Sequence, residues 1–230
     1  MNQELESFAN EKIVRSFGRI KSRKLSDNKK RLISELLPKY SIEQNFNLHS
    51  KNILEIGFGF GDFIFNQAKK NPQNSFYGCE PHINGVANLL NNLEKDALAN
   101  IKISREDVRC LIKLFPDNFF DEIYILFPDP WPKLKHFKRR LINVNFLDSI
   151  LFKKIKSNAK IIIATDHDSY KTWILNIILN CKNFKWLATS KYDWKTFPND
   201  WQETKYQKKA VEEGREPSIY ILQTKNKNDK

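Results

Sequence analysis

The sequence predicts an α/β fold built on a doubly wound, mostly parallel seven-stranded sheet. Five apolar runs alternate with amphipathic segments between residues 51 and 180, which is typical of parallel strands joined by helical crossovers. Two further apolar runs follow and predict two more strands. Because 230 residues suffice for one domain with a full core, we expect a single domain over 26–230 and a mobile basic N-terminal arm over 1–25.

The elements of the first half follow from capping residues and apolar spacing. Ser26 and Asp27 can cap a helix that ends before Pro38. A polar connector over 38–50 comes next. Strands and helices then alternate, and we expect them at residues 51–56, 63–71, 75–79, 83–98 and 101–104.

The second half continues the alternation and then changes character. We expect a short helix over 107–114, a buried strand over 123–127, a helix over 138–156 and a strand over 159–164. Asp168 can cap the helix that follows. The two remaining strands, over 184–189 and 218–223, flank a polar segment over 192–215.

The net charge of +12 indicates an anionic partner. Its distribution supports this interpretation, since residues 12–31 carry nine Lys or Arg against one acid, Asp27. A second group contains no acid, and we call it the basic cluster: Lys133, Lys135, Lys138, Arg139 and Arg140. A solvated charged face is the alternative.

Several classes of protein do not fit the sequence. No apolar run reaches the 18 or more residues of a membrane span, and the first residues lack a signal-peptide pattern, so we expect a cytoplasmic protein without a membrane partner. Cys79, Cys110 and Cys181 are too far apart to predict a disulfide framework or a zinc site, and we expect each to be buried. The four histidines show no ligand spacing, so we expect no metal.

A proline-rich loop joins the buried strand to the basic cluster. Pro128, Pro130 and Pro132 fix φ and lack an N–H, so neither a helix nor a sheet ladder can continue there. The loop presents Asp129 and Trp131 at the end of a strand, where open α/β sheets bind ligands. A plain turn before an exposed helix is the alternative. A rigid carboxylate beside a cationic surface favours chemistry on a polyanion.

A glycine-rich turn, Gly-Phe-Gly-Phe-Gly at residues 57–61, follows the first strand. Such turns let the backbone approach a nucleotide, and Glu80, 23 residues after Gly57, could bind ribose hydroxyls. The turn lacks the Gly-x-Gly-x-x-Gly spacing of dinucleotide sites. Glu55, inside the strand, suits an ammonium group better than a pyrophosphate. The pattern resembles the first motif of S-adenosylmethionine-dependent methyltransferases.

With the proline-rich loop included, the sequence resembles the bacterial tRNA (guanine-N7-)-methyltransferases, which modify a guanosine in the variable loop at tRNA position 46. The match covers almost the whole chain, through residues 15–17, 55–59, 128–140, 165–166, 204–206 and 214–215. It implies a Rossmann-like methyltransferase fold, S-adenosylmethionine as cofactor and tRNA as partner. We expect a monomer or a homodimer, a choice that the sequence leaves open.

The resemblance implies roles for individual residues. Asp129 would be the catalytic residue and would also lie in the cofactor site. The other cofactor residues would be Glu55, Gly57, Gly59, Gly61, Glu80 and Asp107, of which Asp107 can also cap a helix. The tRNA would meet Lys133, Asp166, Thr204, Lys205, Tyr206 and Gln207.

The implied chemistry makes modest demands on the protein. N7 of guanine is a lone pair without a proton, so its methylation needs no strong general base. We therefore expect alignment of the reacting atoms to supply most of the rate enhancement, an effect worth up to about 7–11 kcal/mol in well-oriented systems. A fixed carboxylate such as Asp129 could stabilise the positive charge that guanine gains.

One position departs from the family pattern, and other functions remain as alternatives. The family usually has Glu where this chain has Gln207, and an amide offers a single acceptor oxygen to guanine. Asp166 or Glu203 could read the base instead. The alternatives are another nucleic-acid base methyltransferase, a nicotinamide-dependent oxidoreductase and a non-enzymatic RNA-binding module.

Overall fold

The computed structural model describes residues 24–43, 46, 50–198, 201 and 203–227. Nearly all of the predicted N-terminal arm, and residues 15–17 of the family pattern, therefore lie outside the described residues. Among the described helices, none has the length and apolar character that crossing a lipid bilayer requires.

The described residues form one seven-stranded sheet, as predicted. Its strands are β1 (Asn52–Ile56), β2 (Ser75–Cys79), β3 (Ile101–Ser104), β4 (Phe120–Leu126), β5 (Ile155–Thr165), β6 (Phe184–Trp186) and β7 (Ser218–Thr224). Their order across the sheet is β3-β2-β1-β4-β5-β7-β6. The first five strands pair in parallel, whereas β7 runs antiparallel to β5 and β6.

Helices connect the strands. They are α1 (Asp27–Glu35), α2 (Leu37–Tyr40), α3 (Asp62–Lys70), α4 (Ile83–Lys95), α5 (Val108–Leu111), α6 (Phe152–Lys154), α7 (Asp168–Asn180) and α8 (Lys205–Glu212). The Ser26 hydroxyl accepts a hydrogen bond from the Lys29 N–H at the start of α1, which confirms the predicted cap. Pro38 lies inside α2, so the first helix does end before it, but a further helical turn follows.

The central strand β1 is buried on both faces. Leu54 belongs to a hydrophobic cluster shared with β4, β5 and α7, whereas Ile53 belongs to a second cluster shared with α3 and α4. Successive side chains of a strand point to opposite faces of the sheet. The two clusters therefore lie on opposite sides of β1, as the continuous apolar run predicts for a doubly wound sheet.

The predicted continuous helix over 138–156 is wrong in its first half, whereas residues 146–154 are helical. Residues Leu134–Arg139 form a 3₁₀ segment, and a π-helical segment, Phe146–Leu151, leads into α6 before β5 begins at residue 155. The backbone is not helical at Arg140 (φ −59°, ψ 128°), whose buried side chain bonds to other parts of the fold. The Asn143 side chain then accepts a hydrogen bond from the Phe146 N–H and starts the second segment.

Smaller differences concern element boundaries and one cysteine. β4 begins three residues earlier than predicted, and β6 is limited to three residues. The segment over 192–215 contains α8, which Thr204 caps by accepting from the Gln207 N–H. His167, rather than Asp168, is the cap residue of α7. Cys79 and Cys181 are buried as expected, but Cys110 is exposed.

Gly85, in the first turn of α4, lies against the glycine-rich turn. A Cβ atom on Gly85 would lie 2.1 Å from the Gly59 carbonyl oxygen and 3.0 Å from its carbon. Since both contacts are with backbone, no side-chain rotation could relieve them. The absence of a side chain at this position therefore lets α4 approach the turn.

We expect Gly85→Ala to lower the free energy of unfolding by about 1–3 kcal/mol, the usual cost of overpacking, even though Ala favours helices. Asn91→Ala, on a partly exposed position of the same helix, is the matched control and should change stability by no more than about 0.5 kcal/mol. Urea unfolding of both variants measures the difference. Equal stability of the two variants would contradict the packing argument.

Candidate active site

Five acidic residues lie at one edge of the sheet. Glu55 is the second-last residue of β1, and the other four follow the ends of β2, β3, β4 and β5 within three residues: Glu80, Asp107, Asp129 and Asp166. Because the carboxyl ends of parallel strands meet at one edge, these side chains share a surface. Within the described residues, no group of three or more His, Cys, Asp or Glu is arranged to hold a metal ion.

The glycine-rich turn bonds directly to the end of β2. Its three glycines all have positive φ, with values of 74°, 55° and 81° at Gly57, Gly59 and Gly61. The Gly59 N–H donates to Oε2 of Glu80 at 2.9 Å, and the His82 N–H donates to Oε1 at 2.7 Å. Burial raises the pKa of Glu80, while these two N–H groups act in the opposite direction. The Glu80 carboxyl group is therefore fixed in place.

Glu55 is buried without full hydrogen bonding. It is 4% exposed, and its Oε2 atom has no hydrogen-bond partner among the described residues. Burial raises its pKa to about 8, although the Ile64 N–H opposes this shift. An unsatisfied buried acceptor costs about 1–3 kcal/mol, so a donor from a ligand would be favourable here.

A pocket that is open to solvent lies beside Glu55. The glycine-rich turn, the ends of β1 and β4 and the start of α8 line it. A Cβ atom on Gly57 would meet nothing within 4 Å, so the turn leaves space on this side. The pocket therefore joins the buried Glu55 carboxyl group to a surface that a ligand can reach.

Asp107 accepts hydrogen bonds from both the backbone and the side chain of Arg109. It caps α5 by accepting from the Arg109 N–H at 3.0 Å, as predicted. The Arg109 guanidinium also donates to both carboxylate oxygens at 2.8 Å. The sequence did not indicate this ion pair. Two oppositely charged residues two positions apart do not by themselves predict a contact.

The loop after β4 contains two strained residues. Phe127 and Trp131, which flank the Pro-Asp-Pro sequence, have positive φ values of 51° and 42°. The Phe127 N–H donates to the Ala164 carbonyl of β5 at 2.8 Å, and this bond holds the start of the loop. Asp129 between them is exposed. Strain of this kind persists only where the surrounding structure enforces it, and it is common at functional sites.

Trp131 packs within its own segment. Its ring meets His136 edge-on at 5.6 Å, and the Arg139 guanidinium lies 4.9 Å from the ring centroid. Lys133, Lys135 and Lys138 of the basic cluster are exposed.

Arg140 does not belong on the cationic surface that the sequence predicts. It is 3% exposed, because it reaches inward to bond with Pro130 and Ser169. Nothing in the local sequence distinguishes Arg140 from its exposed basic neighbours, so its burial could not be predicted from the sequence.

The start of α8 lies over the glycine-rich turn. A Cβ atom on Gly59 would lie 3.2 Å from Cε2 of Tyr206, and Lys205 forms an ion pair of 3.2 Å with Asp62. Thr204 is buried and caps the helix. Residues 204–206, which the resemblance assigns to the substrate, thus line the same pocket as Glu55.

Asp166 and Gln207, which the resemblance also assigns to the substrate, are held by protein partners. Asp166 accepts from the Arg215 guanidinium at 2.7 Å. Gln207 is 9% exposed, and its side-chain oxygen accepts from the Trp201 indole N–H at 2.7 Å. The sequence did not predict the contact with Trp201, which packs against Phe63 of α3.

Solved structures with low sequence identity share the fold. The antibiotic-resistance methyltransferase Kmr superposes with a TM-score of 0.52 and 13% identity, covering 77% of this chain and 88% of that chain. TrmN from Thermus thermophilus gives a TM-score of 0.51 and 15% identity over 85% of this chain and 48% of that chain.

Sequence comparison is more specific. The family model described as "Putative methyltransferase" matches residues 49–218. A tRNA (guanine-N(7)-)-methyltransferase from Hyphomonas neptunium is 39% identical, covering 86% of this chain and 94% of its own. Those from Wolbachia pipientis and Agrobacterium fabrum are 38% and 37% identical over 95% and 96% of this chain and 96% and 98% of their own. The chain therefore belongs to the tRNA (guanine-N(7)-)-methyltransferase family.

Proposed function

We propose that the chain transfers a methyl group from S-adenosylmethionine to N7 of a guanosine at position 46 in the variable loop of tRNA. The observation that carries this proposal is the buried Glu55 oxygen without a protein partner, beside a pocket that the glycine-rich turn leaves open. The strained loop with Asp129 follows the neighbouring strand β4. The names of the relatives supply the substrate, the base and the atom.

The residues at this edge fit the proposed cofactor. Glu55 can accept from its ammonium group, since Oε2 lacks another donor in the described structure. The fixed Glu80 carboxylate suits the ribose hydroxyls, and Asp107 suits the adenine amino group. Gly57, Gly59 and Gly61 let the ligand approach the backbone. When bound, the cofactor supplies an electrophilic methyl group.

Asp129 is the proposed catalytic residue. Positive charge develops on the imidazole ring of guanine as N7 gains its substituent, and a carboxylate held beside the ring stabilises that charge. The prolines on either side restrict the loop, so little reorganisation accompanies the reaction. Guanine N7 carries no proton, and Asp129 therefore acts by electrostatics rather than as a base.

The proposed substrate surface combines the exposed basic residues with the start of α8. The Lys133 side chain is exposed and suits a phosphate, while Lys205 and Tyr206 lie at the mouth of the pocket. Thr204, Asp166 and Gln207 complete this surface. Arg215 holds Asp166 in place, and Trp201 holds Gln207. Cytoplasmic location and a monomeric or homodimeric state stay predictions.

We expect the protein to methylate an unmodified tRNA transcript with guanosine at position 46, and borohydride and aniline treatment to cut the product once, at that nucleotide. The matched control is the same transcript with adenosine at position 46, which should take up no labelled methyl group. Uptake without cleavage would place the methyl group on another atom, and uptake by the control transcript would place it on another nucleotide. Either result would overturn the proposed function.

We expect Asp129→Asn to lower kcat by about 100-fold, the usual order for loss of one preorganised electrostatic group. Cofactor and tRNA affinities should stay within a few-fold. Asp117→Asn, a substitution of an exposed aspartate before β4, is the matched control and should keep the wild-type kcat. Single-turnover kinetics with saturating cofactor separates the two. A kcat within a few-fold of wild type would rule out the catalytic role.

The pKa of Glu55, which burial raises to about 8, predicts a pH-dependent affinity. Only the carboxylate form attracts an ammonium group, and this form is the minor one below pH 8. The Kd for S-adenosylhomocysteine should therefore fall by up to about tenfold per pH unit between pH 6 and 8. Calorimetry should also detect proton release on binding.

Glu55→Gln removes the titrating group with little change in shape, so its Kd should be nearly independent of pH over this interval. Glu122→Gln, on the neighbouring strand β4, should retain the wild-type slope. A wild-type slope that survives in Glu55→Gln would assign the pH dependence to another group.

A further inference from the structure

Arg140 makes three hydrogen bonds in the interior of the protein. Its Nε atom donates to the Pro130 carbonyl at 2.9 Å, and its two terminal nitrogens donate to the Ser169 carbonyl at 3.3 Å and the Ser169 hydroxyl at 3.0 Å. Arg140 thus links the loop after β4 to the first turn of α7.

Aromatic rings surround the same guanidinium. Its central carbon lies 3.7 Å from the ring centroid of Phe137, and 5.0 and 5.1 Å from those of Tyr170 and Trp173. Burial lowers the pKa of Arg140 from its usual value. A buried cation held by carbonyls, a hydroxyl and ring faces is costly to place and is not a surface group for phosphates.

The loop that Arg140 contacts has few donors of its own. Pro128, Pro130 and Pro132 carry no N–H, so this backbone can be anchored there chiefly through its carbonyl oxygens. A guanidinium has five donors and no acceptor, which is the complementary pattern. The Pro130 carbonyl belongs to the peptide group that joins Pro130 to the strained residue Trp131.

We propose that Arg140 is a positioning residue for the proline-rich loop, which carries the proposed catalytic residue Asp129. By holding the Pro130 carbonyl, it fixes the Pro130–Trp131 peptide group, one residue beyond Asp129, and keeps Trp131 in its positive-φ conformation. Arg140 therefore sets kcat rather than tRNA affinity. This inference rests on the proposed role of Asp129.

The test is Arg140→Lys, because an ammonium group keeps the charge but cannot reach the three acceptors in the planar geometry of a guanidinium. We expect kcat to fall at least tenfold when it is normalised to the fraction of protein that binds S-adenosylhomocysteine. The KM for tRNA and its salt dependence should stay within threefold. Lys138→Ala, a neighbouring exposed position, should do the reverse, raising KM and leaving kcat within a few-fold.

A double variant separates positioning from a general effect on folding. If Arg140 acts through Asp129, then adding Arg140→Lys to Asp129→Asn should lower kcat by less than twofold further. Independent effects would multiply, and a further tenfold loss would overturn the inference. So would a normal kcat, or a loss confined to KM, in Arg140→Lys.

Ser169→Ala provides a second variant in case Arg140→Lys fails to fold. It removes one acceptor of the guanidinium, and we expect a two- to fivefold loss in kcat that likewise disappears in the Asp129→Asn background. A persistent loss there would contradict the inference. If Asp129→Asn has a normal kcat, the proposed role of Asp129 fails; if only the Arg140 and Ser169 variants have a normal kcat, the positioning role alone fails.

Discussion

The glycine-rich turn at residues 57–61 governs how the edge of the sheet with the acidic residues is assembled. The backbone of Gly59 bonds to Glu80 at the end of β2, lies against Gly85 in α4 and meets Tyr206 from α8. A Cβ atom on Gly85 would lie 2.1 Å from the Gly59 carbonyl oxygen, and one on Gly59 would lie 3.2 Å from the Tyr206 ring. The turn therefore sets the spacing between the ends of β1 and β2 and between this edge and the helices α4 and α8.

The two carboxyl groups beside this turn, the buried Glu55 and the partly buried Glu80, differ in their hydrogen bonding. Each oxygen of Glu80 accepts a backbone N–H, so its charge is compensated within the protein. Glu55 has an oxygen without such a donor, and burial favours its neutral form. Glu80 thus resembles a fixed structural acceptor, whereas the affinity of Glu55 for a cationic group depends on its state of protonation. A sheet edge with both kinds of carboxyl group can hold hydroxyls and an amine of one ligand.

Local patterns in the sequence predicted the sheet and most of this edge. The apolar runs gave the seven strands, and strand ends gave Glu55, Glu80, Asp107 and Asp129, because a parallel sheet brings strand ends together. The Thr-x-x-Gln pattern at 204–207 is a capping signal for α8, since the Thr204 side chain accepts from the Gln207 N–H.

The burial of Arg140 had no local signal. Its partners lie ten residues away in Pro130 and 29 residues away in Ser169, so only the tertiary fold distinguishes it from its exposed neighbours. The predicted helix over 138–156 is interrupted at the same residue, where the backbone is not helical (ψ 128°) and the side chain bonds to distant acceptors.

The contact between Trp201 and Gln207 gives physical meaning to the departure from the family pattern. The indole N–H needs a single acceptor, and an amide oxygen meets that need as well as a carboxylate oxygen does. Gln207 is nearly buried, where a neutral amide avoids the desolvation cost of a charge. Through Trp201, which packs on Phe63, this amide ties the start of α8 to α3, directly after the glycine-rich turn. Glutamine at this position is therefore compatible with the placement of residues 204–206 over the pocket.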